Sequence, residues 1–182
     1  MSRPDWGVLG TLHAVPALDR PDLLADPVAV ALKECDADRV GVAEIDPDLA
    51  DTAAFCEAYD SPLEKSANCV VVAGKRAGVL RYAACVVLAT TRADVNGVVK
   101  RRLDVRKASF APMDDAVAVT GMAYGGITPI GLPADWPLWI APGVAQASAV
   151  VIGSGTRHGK LAVPGDLLAA LPNAVVVDDL AR

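Results

Sequence analysis

Asn68-Cys69-Val70-Val71-Val72-Ala73, then Gly74-Lys75-Arg76-Ala77-Gly78, then Tyr82-Ala83-Ala84-Cys85-Val86-Val87-Leu88-Ala89-Thr90 is the stretch that decides the fold. Two Val-rich runs flank a short segment with Gly at each end. β-Branched side chains fit a pleated, buried surface. A short Gly-bounded loop between two such runs predicts an antiparallel hairpin. The runs are continuous, not alternating, so both faces of these strands should be covered.

Working outward, Leu9 to Val15 reads as a first strand and Arg39 to Ile45 as a second. Asp26-Pro27 and Asp46-Pro47 each carry an acceptor followed by a proline, the signature of a helix start. These predict helices to about Cys35 and about Tyr59. Beyond the hairpin, Asp94 to Leu103 reads as a helix capped by Asp94, with Val95, Val98, Val99 and Leu103 on one face. Pro112 to Thr120 fits another. Leu138 to Ile140, Val150 to Gly153, Leu161 to Val163 and Val175 to Val177 read as strands. Pro142 to Ala147 is a helical turn, and Pro164 to Leu171 is a helix. Strands and helices mix without a strict βαβ repeat, which predicts an α+β domain with a curved, mixed, mostly antiparallel sheet.

At 182 residues the chain reads as one domain with room for a sizeable core. No apolar run reaches the roughly 18–20 residues that a membrane helix needs. The opening MSRPDWGVLG lacks a basic segment followed by an apolar one, so the expectation is a cytoplasmic protein without a leader peptide or membrane association. Cys35, Cys56, Cys69 and Cys85 form no CxxC pair, and the histidines are His13 and His158. That set predicts buried, apolar cysteines, no zinc site and no other metal. The net charge of −5 conceals a partition. Residues 1–64 hold four Lys/Arg against fourteen Asp/Glu, residues 65–112 ten against two, and residues 113–182 three against six. A basic middle in an acidic protein predicts one positive face, unless the fold brings the opposite charges together.

The second informative stretch is Gly125-Gly126-Ile127-Thr128-Pro129-Ile130-Gly131-Leu132-Pro133. Three Gly and two Pro in nine residues exclude a helix and make a regular central strand poor. Such a segment is a shaped loop with bared backbone dipoles. Upstream lies Lys65-Ser66. Bared amides beside a lysine are what a site for a negatively charged or ester-bearing ligand requires.

Lys65-Ser66, the Val-rich hairpin, Gly125-xxx-Pro129 with Gly131, and Ser154-Gly155 near Arg157 together resemble the YbaK/prolyl-tRNA synthetase-associated domain family. The run TGMAYGGITPIGLP is the most specific part. The resemblance covers roughly residues 60–180, with 1–60 a divergent strand and helix part of the same domain. It implies a partial barrel with flanking helices. It also implies hydrolysis of mischarged aminoacyl-tRNA, with a small amino acid such as Ala or Cys, typically on tRNA(Pro). Carried over, the essential lysine falls on Lys65 and the hydroxyl residue on Ser66. The loop around the aminoacyl group and terminal adenosine falls on Gly125, Gly126, Thr128 and Pro129. The late small-residue loop falls on Ser154, Gly155 and Arg157. Glu64 and Ala141 depart from the family pattern.

The chemistry stands on its own terms. An aminoacyl ester is already activated, so its hydrolysis needs a positioned water and donors for the oxyanion more than a strong nucleophile. Gly125 and Gly126 are the expected amide donors, with Lys65 holding a phosphate or the terminal ribose. No metal and no organic cofactor is expected. Lys100, Arg101, Arg102, Arg106 and Lys107 read either as a solvated helix end or as contacts to acceptor-stem phosphates. The expected partner is the acceptor end of aminoacyl-tRNA, with an aminoacyl-tRNA synthetase as a further candidate; oligomeric state is left open. Two other readings stand beside this one. The first is a non-catalytic tRNA- or nucleotide-binding module. The second is a partner protein whose acidic first third docks onto a synthetase.

Overall fold

The structure is a computed structural model and describes residues 5–182. Residues 1–4, on which the expectation of no leader peptide partly rests, lie outside the described residues. The strands are β1 (Val15–Pro16), β2 (Gly41–Glu44), β3 (Ala67–Arg76), β4 (Val79–Leu88), β5 (Ala108–Phe110), β6 (Leu138–Ile140), β7 (Val150–Gly153), β8 (Gly159–Val163) and β9 (Ala174–Val176). The α-helices are α1 (Asp26–Leu32), α2 (Thr52–Tyr59), α3 (Lys100–Leu103), α4 (Met113–Thr120), α5 (Pro142–Ala145) and α6 (Gly165–Ala169).

The hairpin forms, with a tighter turn than the sequence predicts. β3 and β4 pair antiparallel from Ala67 opposite Leu88 to Arg76 opposite Val79. Gly74, Lys75 and Arg76 therefore belong to the strand, and Ala77-Gly78 alone turns the chain. Both turn residues have positive φ, 50° and 80°. That is what a two-residue turn matched to the strand twist demands.

Two sheets grow from this centre. One has the order β5-β3-β4-β6-β9, antiparallel through β5-β3-β4 and parallel through β4-β6-β9. The other, β1-β2-β8-β7, is antiparallel throughout. An isolated parallel bridge between Ser66, just ahead of β3, and Val151 of β7 brings the two sheets together. Side-chain alternation places Val42, Val150, Ile152, Leu161 and Val163 in the main core. Ala43, Val151 and Ala162 face a smaller core with Val8, Leu9 and Phe55.

Several boundaries differ from the sequence reading. The expected first strand is a 3-10 turn at Gly7–Leu9 followed by the two residues of β1, because Gly10 takes a φ of 67° against the Tyr59 and Asp60 backbone. Asp26 sits inside α1, and Ala25 is the cap. The helix expected from Asp46 divides: Asp46 caps a 3-10 turn at Pro47–Leu49, and Asp51 caps α2 by accepting from Ala53 N. Asp94 does cap as expected, accepting from Gly97 N and Val98 N, but the first turn, Val95–Val99, is a π-helix that passes into α3.

Candidate functional site

A cavity of about 790 Å³ opens where the two sheets meet. That volume suits a nucleoside carrying a small acyl group better than a free amino acid. Its walls come from the start of β3 (Ser66 to Val71), the start of α2 with Ala50 and Phe55, the ends of β7 and β8, and the loop residues Tyr124, Gly125 and Ile127. Phe110, Met113 and Tyr124 stand at its rim, 66%, 49% and 56% exposed.

Ser66 is buried on the wall because its backbone makes the bridge between the sheets. Its Oγ lies 3.5 Å from Cys56 Sγ. Lys65 is one residue too early to line the cavity: it is half-buried on the 3-10 turn Leu63–Lys65. The lysine inside the cavity is Lys160 of β8, which the sequence reading passed over. It is 7% exposed, donates to the Ala50 carbonyl at 2.8 Å, and lies 5.4 Å from the Phe55 ring centroid. Burial pushes its ammonium below the ordinary lysine range, and Arg157 adds to that; Cys56 and Asp51 oppose it. Burying a cation costs several kcal/mol, of which an aromatic face returns up to about 2 kcal/mol.

The Gly/Pro loop divides its duties. Gly125 and Ile127 line the cavity, and neither N–H has a partner among the described residues. Gly125 has a φ of 82°, and a Cβ there would stand 2.5 Å from Arg157 Nη1. Gly126 is not an available donor: its N–H is spent on the Ala123 carbonyl at 2.9 Å, and its Cα packs against the Thr156 backbone. Thr128 is fully buried away from the cavity, and its Oγ1 has no hydrogen-bond partner. Pro129 is buried too and does not reach the cavity.

Ser154 and Gly155 are likewise absent from the wall. The Ser154 carbonyl accepts from Ala25 N at 3.1 Å, and Gly155 N donates to the Gly126 carbonyl at 2.7 Å. They staple the loop to the β7–β8 turn and to α1, where Gly155 lacks space for a side chain beside Ala25 and Val28. Arg157 does line the cavity. Its Nη1 donates to the Tyr124 carbonyl at 3.2 Å and its Nη2 to the Pro47 carbonyl at 2.8 Å, which straps the loop to the segment before α2. His158 is exposed and outside the cavity. Ala141, one of the two departures noted from the sequence, caps α5 and also lies off the wall.

The sequence reading missed Asn68. Its Oδ1 accepts from Thr52 Oγ1 at 2.9 Å, which leaves its amide nitrogen unspent at the wall. A polar residue opening a Val-rich strand was the available signal. For Lys160 the signal was a lone charge in the apolar run from Gly159 to Val163. Neither thiol in the central hairpin supports nucleophilic chemistry. Burial, with Cys85 nearby, pushes Cys69 well above its usual range, and burial pushes Cys85 up to about 12.

Lys100, Arg101, Arg102, Arg106 and Lys107 are all exposed. Asp104 among them is turned to the hairpin, pairing with Arg76 and Arg81 at 3.4 Å each. The segment runs straight into β5, whose last residue is the rim residue Phe110. At about 3.3 Å per extended residue, Lys107 is about 10 Å from the rim.

No helix among the described residues is long and apolar enough to cross a membrane. Among them, no three or more His, Cys, Asp and Glu side chains gather where they could hold a metal ion.

Fold and site define an α+β domain with a ligand cavity at the joint of two sheets, overhung by a glycine-rich loop. A family model described as an aminoacyl-tRNA editing domain matches residues 46–171, and the chain belongs to that family. The match begins ahead of the position near 60 that the motifs indicate, so it includes α2 and its cap. A candidate Cys-tRNA(Pro)/Cys-tRNA(Cys) deacylase of Enterococcus faecalis, EbsC, is 28% identical over 68 residues, which cover 37% of this chain and 42% of that protein. The crystal structure of a candidate trans-editing enzyme for prolyl-tRNA synthetase superposes with a TM-score of 0.72 at 20% identity, over 86% of this chain and 96% of that one. A hypothetical protein of known structure gives 0.63 at 21% identity, over 73% and 85% of the two chains.

Proposed function

We propose that this chain is an aminoacyl-tRNA deacylase acting in trans, clearing a small mischarged amino acid such as Ala or Cys, with tRNA(Pro) the favoured carrier. The observation that carries the reading is the pair of unspent amides, Gly125 and Ile127, on the wall of a cavity of about 790 Å³. Such amides sit where an oxyanion needs donors, and one oxyanion donor is worth about 3–4 kcal/mol. The Asn68 amide adds a neutral donor for the acyl group. Water adds to the ester carbonyl, the bond from that carbon to the ribose oxygen breaks, and free amino acid and tRNA leave. The 2′-hydroxyl of the substrate, or the thiol of a cysteinyl group, supplies the proton relay.

Family membership and the basic segment leading to the rim support a tRNA acceptor end as the ligand. In this reading Lys65, just outside the cavity, holds the phosphate of the terminal nucleotide, and Lys100 to Lys107 meet acceptor-stem phosphates. A panel of alanyl-, cysteinyl- and seryl-tRNAs of several identities tests it. Release of Ala or Cys well above the spontaneous rate is expected, with correctly charged prolyl-tRNA(Pro) left intact. Tight tRNA binding with no hydrolysis anywhere in the panel would overturn it in favour of a binding module.

A further inference from the structure

The fold employs the buried cation of the cavity only in part, through the Ala50 carbonyl and the Phe55 ring. Lys160 stands on β8 opposite Ala43 of β2 and Gly153 of β7. Its stem occupies the same face of the sheet as Ala162, in the smaller core; Lys160 lines the cavity, and its ammonium sits against Ala50 and Phe55 of the same wall. A lysine ammonium has three donors. One is spent on the Ala50 carbonyl; among the described residues Lys160 makes no second hydrogen bond and no ion pair within 4.0 Å, although the Asp51 carboxylate of the same wall favours its charge.

Holding one carbonyl in place does not call for a charge, and burying an unpaired charge is disfavoured. A methionine would fill the same space beside Phe55 at lower cost. Groups this unfavourable to the fold collect where a site uses them.

Resting on the deacylase reading above, we propose that Lys160 is a catalytic residue of this cavity, its ammonium donating hydrogen bonds to the acyl carbonyl oxygen as negative charge develops there. Water adds to the carbonyl carbon, and the carbon–oxygen bond to the ribose breaks. The proton released by the water ends on the ribose oxygen, and Lys160 keeps its own proton throughout. It acts beside the Gly125 and Ile127 amides. Lys160 is itself buried, and there such a donor counts for more than it would in bulk solvent. The two lysines therefore divide the work: Lys65 grips the nucleotide outside, and Lys160 acts on the acyl group inside.

Single-turnover deacylation by the full chain, wild type against Lys160→Met and Lys160→Arg, tests the assignment alongside melting and tRNA-binding measurements. The expected result for Lys160→Met is a rate lower by about 100-fold or more. Its tRNA affinity should stay within about threefold of wild type, and its melting temperature should not fall. Lys160→Arg should keep part of the rate. A Lys160→Met rate within about threefold of wild type overturns the proposal and leaves the deacylase reading intact. A wild-type enzyme inactive on the whole panel overturns both. If Lys160→Met does not fold, the wild-type protein decides. Saturating 3′-alanylamino-3′-deoxyadenosine, which cannot be hydrolysed, should shield Lys160 from amine acetylation while exposed Lys75 labels as before. Equal labelling of Lys160 with and without this analogue overturns the proposal.

Discussion

Lys65 and Thr128, both read from the sequence as site residues, are placed very differently by the fold. Lys65 borders the cavity without lining it, so its removal should weaken capture more than chemistry. Lys65→Ala is expected to raise KM roughly 10–100-fold, the worth of a charge-assisted hydrogen bond of about 1.5–3 kcal/mol. Steady-state deacylation kinetics should show kcat close to wild type. A collapse of kcat at unchanged KM would move Lys65 into the chemical step. Thr128 is buried with its hydroxyl unpaired. Thr128→Val keeps the shape and removes the stranded donor. It is expected to stabilise the fold by about 1 kcal/mol, which for a chain of this size raises Tm by about 2–4 °C. A lower Tm would mean that the hydroxyl is satisfied in solution. Lys160 carries a burden of the same kind: burial disfavours its charged form, and the folded state bears that expense.

At the scale of elements, the capping residues set what the basic segment presents. Asp94 holds the amides of Gly97 and Val98 and also pairs with Arg182 at 3.3 Å. Asp94→Ala is expected to cost about 1–2 kcal/mol in a denaturant titration. It should also reduce tRNA affinity, because the π-turn that aims α3 loses its start. Unchanged stability would show that packing of Val98, Val99 and Leu103 alone fixes that turn. The hairpin and the Gly/Pro loop were legible in the sequence because their physics is local: β-branched runs, and glycines where φ must be positive. Asp46 and Asp51 were not separable, since both offer the same acceptor to a following turn and only tertiary packing decides which one starts α2. Lys160 was visible as a charge in an apolar strand. Its neighbours Ala50 and Phe55 lie more than a hundred residues earlier, so nothing local announced the cavity there. Gly126 was assigned a donor that the loop spends on itself, because a turn's internal hydrogen bond depends on its closure, which composition does not specify.

At the scale of the molecule, the acidic and basic thirds do not simply cancel. Arg20 and Arg39 pair with carboxylates of their own surroundings, and Asp104 turns to Arg76 and Arg81. The exposed cations from Lys100 to Lys107 remain available. Neutralising Arg101, Arg102 and Lys107 together is expected to reduce the slope of log affinity against log salt by about 0.7–0.9 per charge. Binding isotherms for uncharged tRNA at several salt concentrations would measure it, and an unaltered slope would place the phosphate contacts elsewhere. The acidic first third has a further part to play. Ala50, Asp51 and Phe55 come from chain ahead of the hairpin, yet they form one side of the chamber and the floor beneath its buried cation. Excising the motif-bearing portion from residue 61 onward would therefore yield a cup with a side cut away. Any transplant of the proposed activity into another protein must carry the upstream segment with it.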